Sequence, residues 1–202
     1  MQVRNSLSEE RPEKLKTGFL GRFQPFHLGH HNVVEKKKEE LDNFAVIVGS
    51  PGRSRTERNP LTFDERKSLI EACFDVEIVG IEDTEESPES SDPESSANER
   101  WAQLFEQKGF SRVISGNDKV KEIIEKHTDI KVERPEMHSE NIYSGTEVRR
   151  RINSGEEWRY LTPKCSHEKL EGLLEKIKKS GTQYNFEPGW KKDNAYHGTA
   201  DK

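Results

Sequence analysis

The chain predicts an α/β fold built on a doubly wound parallel sheet, and three observations carry that expectation. Short apolar segments of strand character alternate with longer charged segments of helical character, S/T-x-x-E capping signatures open two of the helices, and glycine or serine follows several strand ends. The first strand is Thr17 to Gly21 (TGFLG), apolar enough to be buried on both faces, and the first helix runs from Gly29 to Glu40. Asn43 to Gly49 (NFAVIVG) is the second strand. Thr62 to Phe74 is a helix announced by the capping box Thr62-x-x-Glu65. Val76 to Ile81, Arg112 to Ser115 and Lys131 to Arg134 supply three more strands, separated by helices at Trp101 to Lys108 and Asp118 to Lys126. The order βαβαβαβαβ calls for right-handed crossovers and helices on both faces of the sheet. A C-terminal helix, Ser166 to Lys179, carries Leu170, Leu173, Leu174 and Ile177 at helical spacing, for packing on the sheet or on a second subunit.

Composition limits what else the chain can be. Hydrophobic residues are 30% of 202, below the usual share of a globular domain, so part of the chain is expected to stay unpacked. The candidates are a flexible segment 1–16, an acidic Ser/Pro-rich loop at 82–97 and a tail at 181–202, around a domain at 17–180. The 33 Lys and Arg are interspersed with 38 Asp and Glu, which is no nucleic-acid footprint. No apolar run approaches a membrane span and the start lacks a signal-peptide core. Cys73 and Cys165 fit neither a zinc pattern nor a disulfide framework, so the expectation is a soluble, reduced, cytoplasmic protein. The GxGxxG and Walker A patterns are absent, which excludes a standard dinucleotide dehydrogenase and a P-loop ATPase.

Two segments carry chemistry. Gly21 to His30 reads GRFQPFHLGH and puts His27 and His30 around the first turn of a helix, where unpaired amides and the positive end of the dipole hold an anion. Imidazole can donate N–H to a phosphate oxygen there, and Gly29 permits close backbone approach. A metal cluster of His27, His30 and His31 fits poorly, because no HExxH pattern and no Cys or acid at ligand spacing accompanies it. Tyr143 to Arg151 reads YSGTEVRRR, with Ser144 and Glu147 spaced as a capping box and Arg149 one turn on, a second anion site with Gly145 and Thr146.

Together these segments resemble the nucleotidyltransferases of the HxGH class, which have a Rossmann-like core, and within it the archaeal-type nicotinamide-mononucleotide adenylyltransferases. Gly49-Ser50 with Arg58-Asn59-Pro60-Leu61-Thr62 and Glu65-Arg66, Asn98-x-x-Trp101, and Ser115-Gly116-Asn117 match that family's further motifs in order. The resemblance implies transfer of AMP from ATP to nicotinamide mononucleotide with release of pyrophosphate, Mg²⁺ travelling with ATP, no protein metal site, and a homo-oligomer. It assigns His27, His30 and Arg149 to catalysis. It assigns Gly21, Arg22, Gly29, Arg58, Ser115, Gly116, Asn117, Ser144, Gly145 and Thr146 to ATP and its phosphates, and Asn98 and Trp101 to the nicotinamide.

Departures fall on the acceptor side. An aspartate that normally precedes the Asn is displaced, with Asp92 the nearest candidate, Arg55 stands where the family often has His, and Pro51-Gly52 replaces small polar residues. The alternatives are therefore an adenylyl- or cytidylyltransferase for another phosphate such as FMN or phosphopantetheine, and a nucleotide-binding regulator without turnover.

Overall fold

The computed structural model describes residues 15–84, 92–136 and 143–179. Most of the expected flexible start, the middle of the acidic loop and the tail lie outside those residues. Five strands form one parallel sheet in the order β3-β2-β1-β4-β5: β1 Lys16–Gly21, β2 Phe44–Gly49, β3 Glu77–Ile81, β4 Phe110–Ile114 and β5 Lys131–Glu133. The order reverses between β1 and β4, which opens a crevice beyond the carboxyl ends of the strands.

Alternation along the strands builds two cores. Phe19, Val46 and Val48 face a layer that includes Val33 and Val34 of α1 (Leu28–Glu40), Leu69 and Ile70 of α2 (Phe63–Glu71), and the C-terminal helix. Leu20, Ala45 and Ile47 face the opposite layer, made by Trp101 and Phe105 of α3 (Ser96–Gln107) and by Ile123 and Ile124 of α4 (Asp118–His127). The C-terminal helix α6 (His167–Lys179) buries Leu170, Leu173 and Ile177 in the first core, with Leu174 partly buried beside them, so the expected stripe packs within the chain. Between β5 and α6 lie α5 (Gly145–Ser154) and two short turns of 3₁₀ helix, Arg159–Leu161 and Lys164–Ser166.

Three local expectations change. The third helix starts at Ser96, not Trp101, because Ser95 caps it by accepting from the Asn98 N–H at 3.3 Å. The Thr62–Glu65 capping box forms in both directions, at 3.2 and 2.9 Å, but its counterpart at Ser144 is half made. The Ser144 hydroxyl accepts from the Glu147 N–H at 3.1 Å, while the Glu147 carboxylate turns to Arg150 and Arg151, which hold its pKa down to about 2. Finally, Cys73 and Cys165 form a disulfide rather than two free thiols. Their separation of 92 residues concealed a tertiary contact between the end of α2 and the turn before α6. No helix among the described residues is long and apolar enough to cross a membrane.

Candidate active site

The end of β1 runs into the loop that carries the histidines. Phe23 adopts φ 51°, a left-handed conformation rare for a bulky side chain, and is held there by burial. Gln24 is buried and clamps the loop to its neighbour: its Nε2 donates to the Leu61 carbonyl and its Oε1 accepts from the Leu61 N–H, both at 2.9 Å. His27 is then the N-cap of α1, and its backbone N–H donates to His30 Nδ1 at 3.4 Å. With Nδ1 accepting, a neutral His30 carries its proton on Nε2.

The two imidazoles stack with centroids 3.5 Å apart. Phe23 and Phe26 pack on His30 at 4.7 and 5.9 Å, and this burial, with His27 nearby, keeps the His30 pKa well below its ordinary value. Burial and then the charge of Arg149 push His27 down to about 3. Both rings are therefore neutral N–H donors around pH 7. Among the described residues, His27 Nδ1 is buried without a hydrogen-bond partner in the protein.

Arg149 reaches the same wall from α5, donating to the Gln24 carbonyl at 2.5 Å and to Thr146 Oγ1 at 3.2 Å. Gly145 makes that approach possible, since a Cβ there would stand 2.8 Å from the Gln24 oxygen. The Arg149-Arg150-Arg151 run thus divides: Arg149 turns to the site, and its neighbours pair with Glu147 and Glu156. Burial first, then Arg22, with a smaller contribution from Arg58, brings Arg149 down to about 10. These are the marks of cations clustered with fewer anions to balance them.

Beside this wall, at the switch point, is a cavity of about 250 Å³. It is lined by Gly21, Arg22 and Arg58, by Trp101, and by Ser115, Gly116 and Asn117, all expected from the sequence, together with Arg53, Asn59 and Asp83. Asn117 caps α4 by accepting from the Lys119 and Val120 N–H groups at 3.0 and 3.4 Å. Trp101 is buried edge-on to Phe105 and lines the cavity, with no hydrogen-bond partner for Nε1 among the described residues. Arg22 joins cavity and histidine wall electrostatically. Gly29, Ser144, Gly145 and Thr146 belong to the wall, and Asn98 does not line the cavity: it is fully buried, and its Nδ2 donates to the Asp92 carbonyl at 2.6 Å.

Three residues at the site had no role assigned from the sequence. Asp83, two residues past the end of β3, puts a carboxylate in the cavity, accepting from the Ser50 hydroxyl at 3.0 Å and pairing with Arg53 at 2.8 Å, whereas Asp92 is not among the lining residues. Its position shortly after a strand was the available signal. Arg55 braces its loop to α2 through the Glu65 carboxylate and the Pro60 carbonyl. Arg66 is wholly buried, and its guanidinium donates to the carbonyls of Arg22 at 3.1 Å, Gly49 at 2.8 Å, Ser50 at 3.0 Å and Thr62 at 3.2 Å. Burial and then Arg22 lower its pKa to about 10, so it remains charged.

The family model described as cytidylyltransferase-like matches residues 19–151, from β1 through most of α5, and includes both histidines and Arg149. The chain belongs to the cytidylyltransferase-like family. Among its relatives is the nicotinamide-nucleotide adenylyltransferase of Methanococcus aeolicus, 34% identical over 151 residues, 71% of this chain and 81% of the relative. The protein of that name from Halobacterium salinarum is 33% identical over 152 residues, 72% of this chain and 79% of the relative. A bifunctional NMN adenylyltransferase/ADP ribose pyrophosphatase from Francisella tularensis, solved with AMP and an Mn ion, has the same fold. It aligns at TM-score 0.62 and 17% identity over 86% of this chain. This chain spans about half of that structure's length, 52%.

Proposed function

We propose that the chain is a nicotinamide-nucleotide adenylyltransferase, transferring AMP from ATP to nicotinamide mononucleotide to give NAD and pyrophosphate. One observation carries the reading: neutral His27 and His30 and the cations Arg22, Arg58 and Arg149 meet at two helix N-termini on the switch point of the sheet. The archaeal relatives, similar over most of their length, name the acceptor. A mononucleotide phosphate oxygen attacks the α-phosphorus of ATP. The bond from that phosphorus to the oxygen bridging it to the β-phosphorus breaks, and that oxygen leaves with pyrophosphate. Phosphate is already a nucleophile, so the protein supplies in-line positioning and charge neutralisation rather than a general base.

His30, donating from Nε2, and His27 act on the α-phosphoryl oxygens as negative charge shifts toward the leaving group. Arg149, Ser144 and Thr146 hold the β- and γ-phosphates at the start of α5. Arg22 and Arg58 take further phosphate oxygens, with Gly21 and Gly29 leaving room for them. Ser115, Gly116 and Asn117 contact the nucleotide at the mouth of β4. Trp101 stacks on the cationic nicotinamide, with Asn98 behind it and Asp83 as the carboxylate on the acceptor side. Mg²⁺ enters as part of the substrate, bound to triphosphate oxygens and water. The same resemblance supports a homo-oligomer working in the cytoplasm.

The test is pyrophosphate release from ATP and Mg²⁺ in parallel with nicotinamide mononucleotide, nicotinic acid mononucleotide, FMN and phosphopantetheine, with product masses determined. The reading expects release with the pyridine nucleotide and the mass of NAD. Release with FMN or phosphopantetheine alone would overturn the assignment of the acceptor.

A further inference from the structure

One side-chain cluster takes no part in this chemistry. His31 follows His30 in α1, Cys73 lies just past α2, and Cys165 sits in the turn before α6, and the fold brings one ligand atom of each within 4.8 Å of the other two. Among the described residues this is the only group of three or more His, Cys, Asp or Glu side chains placed to share a metal ion. Ring packing gives His31 two neighbours, Phe74 at 4.7 Å and Phe26 at 6.4 Å, but a disulfide by itself requires no imidazole alongside. Two sulfurs and one imidazole are, by contrast, a donor set for a thiophilic divalent cation.

We propose that in the reduced chain Cys73, Cys165 and His31 bind Zn²⁺, with a fourth position open to water, and that the disulfide, which joins the two cysteines, and the metal, which also takes in His31, are alternative states of one cluster. Tetrahedral zinc with thiolate and imidazole ligands holds the donor atoms about 3.5–3.8 Å from one another, so on reduction the two sulfurs separate to that spacing while the imidazole closes from within 4.8 Å. The backbone positions suit both states, since the cysteine Cα atoms are 5.2 Å apart. Cys165 is exposed and the other two are half-buried, so reductant and metal have a path in. A dithiol reductant supplies two electrons and two protons to the Cys73–Cys165 bond, leaving two thiols and becoming a disulfide itself. Zn²⁺ then displaces both thiol protons into solvent and accepts the lone pair of the neutral imidazole. In either state the end of α2 and the segment before α6 stay tied, and the metal brings α1 into the link behind His30. The inference goes beyond the adenylyl-transfer reading and does not depend on it.

The test titrates Co²⁺ into the full chain, reduced with a phosphine under argon, and into the same chain with its disulfide intact. The reduced form is expected to take up one ion per chain with thiolate-to-cobalt charge transfer and the visible bands of tetrahedral cobalt, both removed by one equivalent of Zn²⁺. The oxidised form is expected to show neither. His31→Gln should raise the half-saturating concentration by roughly tenfold or more, and Cys165→Ser should weaken the charge-transfer band. Absence of that band in the reduced wild type, or unchanged titrations of both variants, would overturn the proposal. The comparison of reduced with oxidised wild type needs no substitution, so poor folding of a variant leaves the test intact.

Discussion

Arg66→Met tests how the active-site loops are held. The guanidinium reaches four carbonyls within 3.2 Å, those of Arg22, Gly49, Ser50 and Thr62, and so joins the ends of β1 and β2 to the start of α2. Thr62 and Ser50 would keep partners, because their carbonyls also accept the backbone N–H groups of Arg66 at 3.0 Å and Arg53 at 3.1 Å. Arg22 and Gly49 would lose their side-chain donor. Stranding a buried carbonyl costs about 1–3 kcal/mol. Gly49 lines the cavity, where water can reach it, so the lower part of that range applies there and the sum is ~2–4 kcal/mol. The midpoint of urea unfolding at fixed m reads this directly. Below the transition, where the variant is folded, KM for ATP should rise because Arg22 and the histidine loop lose their anchor. Arg66→Lys keeps a charge but has one ammonium for several directions, and should recover only part of both effects. A loss under about 1 kcal/mol with unchanged KM in Arg66→Met would refute the reasoning.

Other expectations follow from the same geometry. Gly145→Ala places a methyl group 2.8 Å from the Gln24 oxygen that anchors Arg149, so kcat should fall by ~10–10²-fold with modest loss of stability, and unchanged steady-state kinetics would contradict the contact. His27 titrates near 6.5 unfolded but at about 3 when folded, and His30 is also depressed. The unfolded chain therefore gains protons first as pH falls: stability is full above pH 6.5 and is lost toward pH 3, by at most ~1.4 kcal/mol per pH unit per group. Unfolding midpoints measured from pH 7 to 4.5 should flatten in His27→Gln, and an identical slope would count against the buried neutral imidazole. Trp101→Leu, chosen because Ala would leave a cavity beside Phe105, should raise KM for nicotinamide mononucleotide by roughly tenfold and leave KM for ATP near its wild-type value. Equal effects on both substrates would place the indole in the core only.

Much of this organisation is legible in local sequence because it is set locally. The buried strands, the capped helix starts and the His27–His30 and Ser144–Arg149 turns each announce themselves within ten residues. The role of Arg66 does not, since the Glu65-Arg66 motif marks the residue but only converging strand ends give it carbonyls to bind. Asp83 was obscured by the acidic residues that follow it, any of which offers the same chemistry. The Cys73–Cys165 link and the Gln24–Leu61 clamp are contacts between distant segments, to which spacing along the chain carries no guide. Ser95 shares its neighbourhood with other serines, so composition favoured a loop where one hydroxyl starts a helix.

The most direct test of transition-state stabilisation by the histidine wall is kcat of His30→Ala measured beside its dissociation constant for MgATP. Loss of a donor made mainly in the transition state lowers kcat by ~10²–10³-fold while ATP affinity changes little. A variant that turns over at the wild-type rate would contradict the mechanism.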